Sequence, residues 1–258
     1  MAGKGKAQGK GKSWIKPFIA GKEPVKIDAG SESAQENGEG ISEQVDVHVP
    51  SIVTGRSADL EALVGMYEGF LRGEDSTSYW HRMKSQYTGQ EIHDFADVME
   101  EYSLLDSFKG SGTFLSLLLA RCDEDLTLEP RGFDFLGNGY NKGRTIEFDG
   151  SVGDYVGRDM NFGKIVVKGS AGKYAGHRMI RGELVIRGDV GDWLGNQMSG
   201  GIILVYGNRI GNGIASKMDG GEIYLESPGL NLETAKNSVS DEMTKGKVYL
   251  RDKIIAFK

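Results

Sequence analysis

One cysteine, Cys122, in a chain of 258 residues excludes an intrachain disulfide and supplies at most one thiolate, so the chain cannot hold an iron–sulfur cluster by itself. Histidines number four, and none stands in a His-Glu-x-x-His or comparable metal-ligand spacing. No apolar run approaches the ~18 residues of a membrane span, and the amino terminus lacks the apolar stretch of a signal peptide. Basic residues fall short of acidic ones, 31 against 37, and the net charge of -6 argues against broad nucleic-acid affinity. These absences point to a cytoplasmic chain with neither membrane nor nucleic acid as its partner.

Glycine is what the chain has in quantity: 39 residues, of which 21 lie between Gly137 and Gly221. That region is a repeat. SVGDYVGRDMNFGKIVVKG, SAGKYAGHRMIRGELVIRG, DVGDWLGNQMSGGIILVYG and NRIGNGIASKMDGGEIYLE follow one another, with Gly153, Gly172, Gly191 and Gly211 stepping by 19, 19 and 20 residues. Met160, Met179, Met198 and Met218 keep the same beat. A fixed short period means one small unit stacked on itself, and this one is too short for the helix pairs of tetratricopeptide or ankyrin repeats.

Each copy ends in a β-rich run, KIVVK, ELVIR, IILVY or EIYLE, bounded by glycines able to turn tight corners. Stacking the copies so that these runs pair in parallel gives a β-helix. Alternation predicts an interior column of Ile165 and Val167, Leu184 and Ile186, Ile203 and Val205, and Ile223 and Leu225. Val156, Ala175, Leu194 and Ile214 form a second column, and the methionines a third. One coil buries too little to order itself, so each must depend on its neighbours.

Upstream, FLGNGYNKGRTIEFDG reads as part of an earlier coil, and downstream MTKGKVYLR repeats MDGGEIYLE after a gap holding SPGLNLETAKNS, a loop or one short helical turn. The expected fold is mainly β: a parallel β-helix of about six ~19-residue coils over residues 130–258. Residues 1–50 hold a lysine-glycine tail, with Lys4, Lys6, Lys10 and Lys12, and an acidic polar stretch; neither can bury enough apolar surface to order itself. Residues 51–129 carry helical stripes, Leu60, Leu63, Val64, Tyr67, Phe70 and Leu71, then Ile92, Phe95, Ala96, Met99 and Tyr102, then FLSLLLA, with Ser57 as N-cap. This small α-helical segment is expected to cap the solenoid's first open edge.

The run GDYVGRDMNFGKIVVKGSAGKYAGHRMIRGELVIRGDVGDWLGNQMSGG resembles the glycine-repeat scaffold subunit of formylmethanofuran dehydrogenase and the C-terminal glycine-repeat (GXGXG) domain of the glutamate synthase large subunit; GFDFLGNGYNKG resembles the entry coil of the former. The resemblance covers about half the chain and leaves the first 130 residues unmatched. It implies a right-handed parallel β-helix without catalytic, cofactor-binding or metal-binding residues, serving as scaffold in a complex for carbon dioxide reduction and formyl transfer. Tungsten or molybdenum pterin and iron–sulfur clusters would then sit in partner subunits. The alternative it implies is a stand-alone glycine-repeat subunit of a split glutamate synthase-like enzyme.

The residues themselves offer little chemistry. GRDMNFGKI has five residues between its glycines where a phosphate-binding loop needs four, and Ile where magnesium needs Ser or Thr. GNGYNKG leads into a strand where the dinucleotide fingerprint needs a helix. A metal site from His81, His93 and Glu100 or Glu101 lacks any spacing signature, His48 and His177 stand apart, and Cys122 closes an apolar run, a packing position. Catalysis on the solenoid exterior, or carbohydrate binding there, would need clustered outward groups, yet Lys173 separates Asp154 from Asp192 in that column.

The outward strand positions are more informative. Val166, Val185, Leu204, Tyr224 and Tyr249 form an apolar column, joined by Ile202 and Tyr206, where a solvated face would carry charge as Lys164, Lys168, Glu183 and Arg187 do. Such a stripe must be covered, either by the chain's own helices or by another protein subunit of a hetero-oligomeric complex. Trp14, Ile15 and Phe18 form a short apolar anchor for such a neighbour.

Overall fold

The computed structural model describes residues 57–73, 82–103, 110–129 and 132–258. The tail expected over residues 1–50, its apolar anchor, His48 and His81 lie outside them, as do the side chains of Glu100, Glu101 and Tyr102.

Seven strands stack in parallel in chain order: β1 (Leu126–Leu128), β2 (Thr145–Phe148), β3 (Lys164–Val167), β4 (Glu183–Ile186), β5 (Ser199–Val205), β6 (Asp219–Leu225) and β7 (Lys245–Leu250). The solenoid is the repeat folded as read. Ile146, Ile165, Leu184, Ile203, Ile223 and Val248 are successive partners across the ladder and are exposed by 1% or less. The row from Phe148 through Val167, Ile186, Val205 and Leu225 to Leu250 is likewise buried. Met160, Met179, Met198 and Met218 are fully buried, as are Ala175, Leu194 and Ile214. A second wall is drawn by single bridges linking Val152, Ala171, Val190 and Ile210.

The turn after that wall explains the glycine spacing. Tyr155, Gly157 and Asp159 all take positive φ, as do Tyr174, Gly176 and Arg178, then Trp193, Gly195 and Gln197. Alternating left-handed residues send successive amides to opposite neighbours: Tyr155 N donates to Lys173 O at 2.8 Å and Asp159 N to His177 O at 2.9 Å, one coil on, while Gly157 N donates to Leu136 O at 2.9 Å, one coil back. Only the middle residue must be glycine in most coils, because a Cβ on Gly176 would lie 2.5 Å from Ile203 Cδ1 in the core.

Helices α1 (Ala58–Leu71), α2 (Gly89–Ser103) and α3 (Ser111–Leu119) close the first end. Ser57 caps α1 by accepting from Leu60 N at 3.3 Å, as expected. Tyr67, Phe95 and Phe114 pack ring against ring with centroids 5.2–5.5 Å apart, and α3 is buried along its whole length. Ser116 Oγ donates to Phe135 O at 2.9 Å, and a Cβ on Gly112 would fall 2.0 Å from Asp134 O, so α3 presses directly on the entry coil. The bridge between Tyr87 and Cys122 and the contact of α2 with β1 complete the cap.

The six parallel steps from β1 to β7 match the expected number of coils, five of them lying between β2 and β7. Three details depart from expectation. The stack begins at Leu126 rather than residue 130, because the three-residue β1 is too short to show a period. The segment after β6 contains a seven-residue helix, α4 (Leu232–Ser238), capped by Asn231, which accepts from Thr234 N at 2.8 Å. Finally, β8 (Lys253–Phe257) turns back antiparallel on β7 through Arg251, whose φ is 54°.

Candidate docking face

Register places Glu147, Val166, Val185, Leu204, Tyr224 and Tyr249 in one outward column. β8 prolongs it, since Ile254 pairs with Tyr249 and is 51% exposed. Among the described residues α2 meets β1 and α4 meets β8, at the two ends of the sheet.

The column changes character along the solenoid. Over β2 to β4 it is flanked by ion pairs that cross the strands, Lys164 Nζ to Glu183 at 2.9 Å on one side, Lys168 Nζ to Glu147 at 2.8 Å and to Asp149 at 3.2 Å on the other. Between these chains Val166 is 9% and Val185 3% exposed, so two residues expected on an open face are instead enclosed. From β5 onward the face opens. Ile202 is 39% exposed, and Leu204, Tyr206, Tyr224 and Tyr249 are half-buried.

Its polar groups are internally matched. The Arg187 guanidinium sits 4.7 Å from the Tyr206 ring centre. Tyr224 and Tyr249 stack at 4.5 Å and 2°, and both hydroxyls donate to Glu222, at 2.5 and 3.4 Å, with Lys247 Nζ 3.7 Å from the same carboxylate. The bond to Glu222, followed by burial, pushes the Tyr224 phenol well above its ordinary range. Such a surface resists acting as a charged ligand site and suits a partner with apolar complementarity.

Sequence reasoning missed Phe162, 57% exposed, and Ile180, 45% exposed, on the corner leading into β3 and β4. The signal was present: corresponding places in other copies hold Arg181, Gly200 and Gly220, or Asn161, Ser199 and Asp219. With Ile202 they carry the apolar surface round the edge of the sheet.

The remaining candidates are taken up by the scaffold. Asp134, Asp154 and Asp192 each accept from a backbone amide of the next coil, on Asp154, Lys173 and Asn212, at 2.7, 2.7 and 2.9 Å. Ser151, Ser170 and Asp189 do the same along a second line, at 2.9–3.0 Å. Outward carboxylates thus staple coils together. Phe135, Tyr155, Tyr174 and Trp193 stack face to face with centroids 4.7–6.1 Å apart, and Trp193 covers Gly213. The rings use their faces on one another. Cys122 is buried, and burial raises its thiol pKa, which disfavours a nucleophilic thiolate. Among the described residues no group of three His, Cys, Asp or Glu side chains is placed to hold a metal ion, and no helix is long and apolar enough to cross a membrane.

His177 lies in the aromatic corner, edge-on to Tyr155 and Tyr174, with Nδ1 2.9 Å from Asn196 Oδ1. Burial, then the Arg158 charge, brings its pKa down to about 4. The folded state therefore holds the neutral ring while the unfolded chain takes a proton, so stability is lost as pH falls from about 6.5 towards 4. Urea unfolding of the parent and His177→Gln should differ in this window, with the variant losing less stability on acidification by on the order of 2 kcal/mol. Identical pH slopes would contradict the buried neutral imidazole.

Comparison of the chain with family models, curated proteins and solved structures gives no match in any of the three.

Proposed function

We propose that this chain is a non-catalytic β-solenoid scaffold subunit of a multi-subunit oxidoreductase, of the formylmethanofuran dehydrogenase kind. The observation that carries the proposal is the outward column over β5 to β7, apolar at Ile202, Leu204, Tyr224 and Tyr249 and extended by the exposed Ile254 of β8. A parallel sheet is ordinarily covered on both faces, and here the second face is available to another protein. The resemblance of the repeat run from Gly153 to Gly201 to the scaffold of the dehydrogenase supports this assembly. In that assembly redox and formyl-transfer chemistry belong to partner subunits carrying tungsten or molybdenum pterin and iron–sulfur clusters.

Protein purified from its own source should appear by native mass spectrometry as a hetero-oligomer containing tungsten or molybdenum. FMN in their place would move the chain to a glutamate synthase-like complex, and a lone monomer would overturn both. The double variant Ile202→Ser with Leu204→Ser should lose its partner while the solenoid stays folded, with a stability loss of about 1–2 kcal/mol because Ile202 is exposed and Leu204 half-buried. Loss of the fold itself would make the column internal core.

A further inference from the structure

The last hairpin presents a second surface, of different chemistry from the apolar column. Among the described residues β8 pairs on one side only, with β7, and so forms an edge of the eight-stranded sheet. Ile254 is 51% and Phe257 74% exposed there. Residues 245–258 carry five basic side chains, Lys245, Lys247, Arg251, Lys253 and Lys258, against the single acid Asp252. Lys247 answers Glu222, and Lys258 Nζ donates to Asp241 O at 2.7 Å, while Lys245 and Lys253 have no ion-pair partner among the described residues.

Lysines on an edge strand, together with the register shift between Val248 and Tyr249, guard it against pairing with another edge of its own kind. Two such hairpins brought together would oppose ten basic groups with two acids, twice the five and one of a single copy. The same lysines favour a strand of opposite charge. The chain contains one. Residues 27–55 hold six acids, Asp28, Glu32, Glu36, Glu39, Glu43 and Asp46, and no Lys or Arg. Within them Val45-Asp46-Val47-His48-Val49 alternates with the period of a strand, and Pro50 ends it.

We propose that the edge of β8 receives the acidic, strand-patterned segment around residues 41–49 of a second copy of this chain, as a ninth strand that joins copies head to tail. Reach favours a second copy over the same one. The helices that follow Ser57 pack at the β1 end. Seven strand spacings of ~4.8 Å put β8 roughly 34 Å away. The eight residues from Val49 to Ser57 span at most about 29 Å when fully extended. The contact is heterologous, so it builds chains or a closed ring rather than a two-fold dimer. It shares Ile254 with the outward column but is independent of the oxidoreductase reading.

Full-length chains test it by sedimentation velocity, at low and high salt, over a range of concentrations. The parent should associate with concentration, and about 0.5 M salt should weaken association at least tenfold. Lys253→Glu with Lys258→Glu in one chain, or Glu43→Lys with Asp46→Lys in another, should each reduce association by tenfold or more, both folding normally by circular dichroism. Mixing the two variants restores opposite charges in both pairings and should restore association. A parent that stays monomeric throughout, variants that associate like the parent, or a mixture that stays dissociated would each overturn the proposal.

Discussion

Gly207→Ala destabilises the solenoid by about 4 kcal/mol, a cost otherwise seen when a buried network breaks or a core is emptied. A Cβ at this position would lie 2.1 Å from Gly188 O and 2.3 Å from Gly188 C, one coil back. The obstacle is backbone, so no side chain can swing aside. A Cβ on Gly188 would likewise lie 2.7 Å from Gly169 C and O, so the coil beneath has no slack to yield. Equilibrium unfolding in urea measures the loss, and Gly65→Ala in α1, where a Cβ meets nothing within 4 Å, serves as control. The control should be neutral or more stable by up to about 1 kcal/mol. Equal midpoints for Gly207→Ala and parent would mean that the coils are not stacked at this spacing.

The second large effect concerns the middle glycine of the left-handed corner. Gly195→Ala should cost about 3 kcal/mol, because φ is +65° and the new Cβ would stand 2.6 Å from Ile223 Cδ1. The fold already contains the relieved version. One coil on, Ala215 occupies the same place at φ 59° and is fully buried, and the strand residue at the matching offset is Val248, which has no δ carbon. Ile223→Val alone should cost about 1 kcal/mol. The double variant should lose less than the sum of the two, a coupling measurable in a double-mutant cycle. Strict additivity would show that the corner and the next strand do not touch.

These positions show how much of the molecule is legible in its sequence. The interior rows are readable because inward residues recur every second position within a strand and every ~19 between strands. Ile165, Leu184, Ile203 and Ile223 therefore fall in one row of the sheet. β1 escapes notice because its three residues leave no repeat to compare, and β8 because it reverses direction outside the period. The outward column is visible as a pattern, but its openness is not. Whether Val185 is reached by solvent depends on how Lys164 and Glu183, 2.9 Å apart, fold beside it, a matter of rotamers and ion pairing that no spacing records. In the same way Asp154 and Asp192 look free for chemistry until their bonds to the next coil's amides are seen.

The face over β5 to β8 is proposed to be gripped by another subunit. A photo-crosslinking residue placed at Tyr206, on that face, and in a separate variant at the exposed corner residue Lys217, tests it most directly in the organism's own extract. Position 206 should join the chain to one metal-bearing subunit, with no such product from position 217. Crosslinks of equal yield and identity from both positions, or none from 206, would contradict the account.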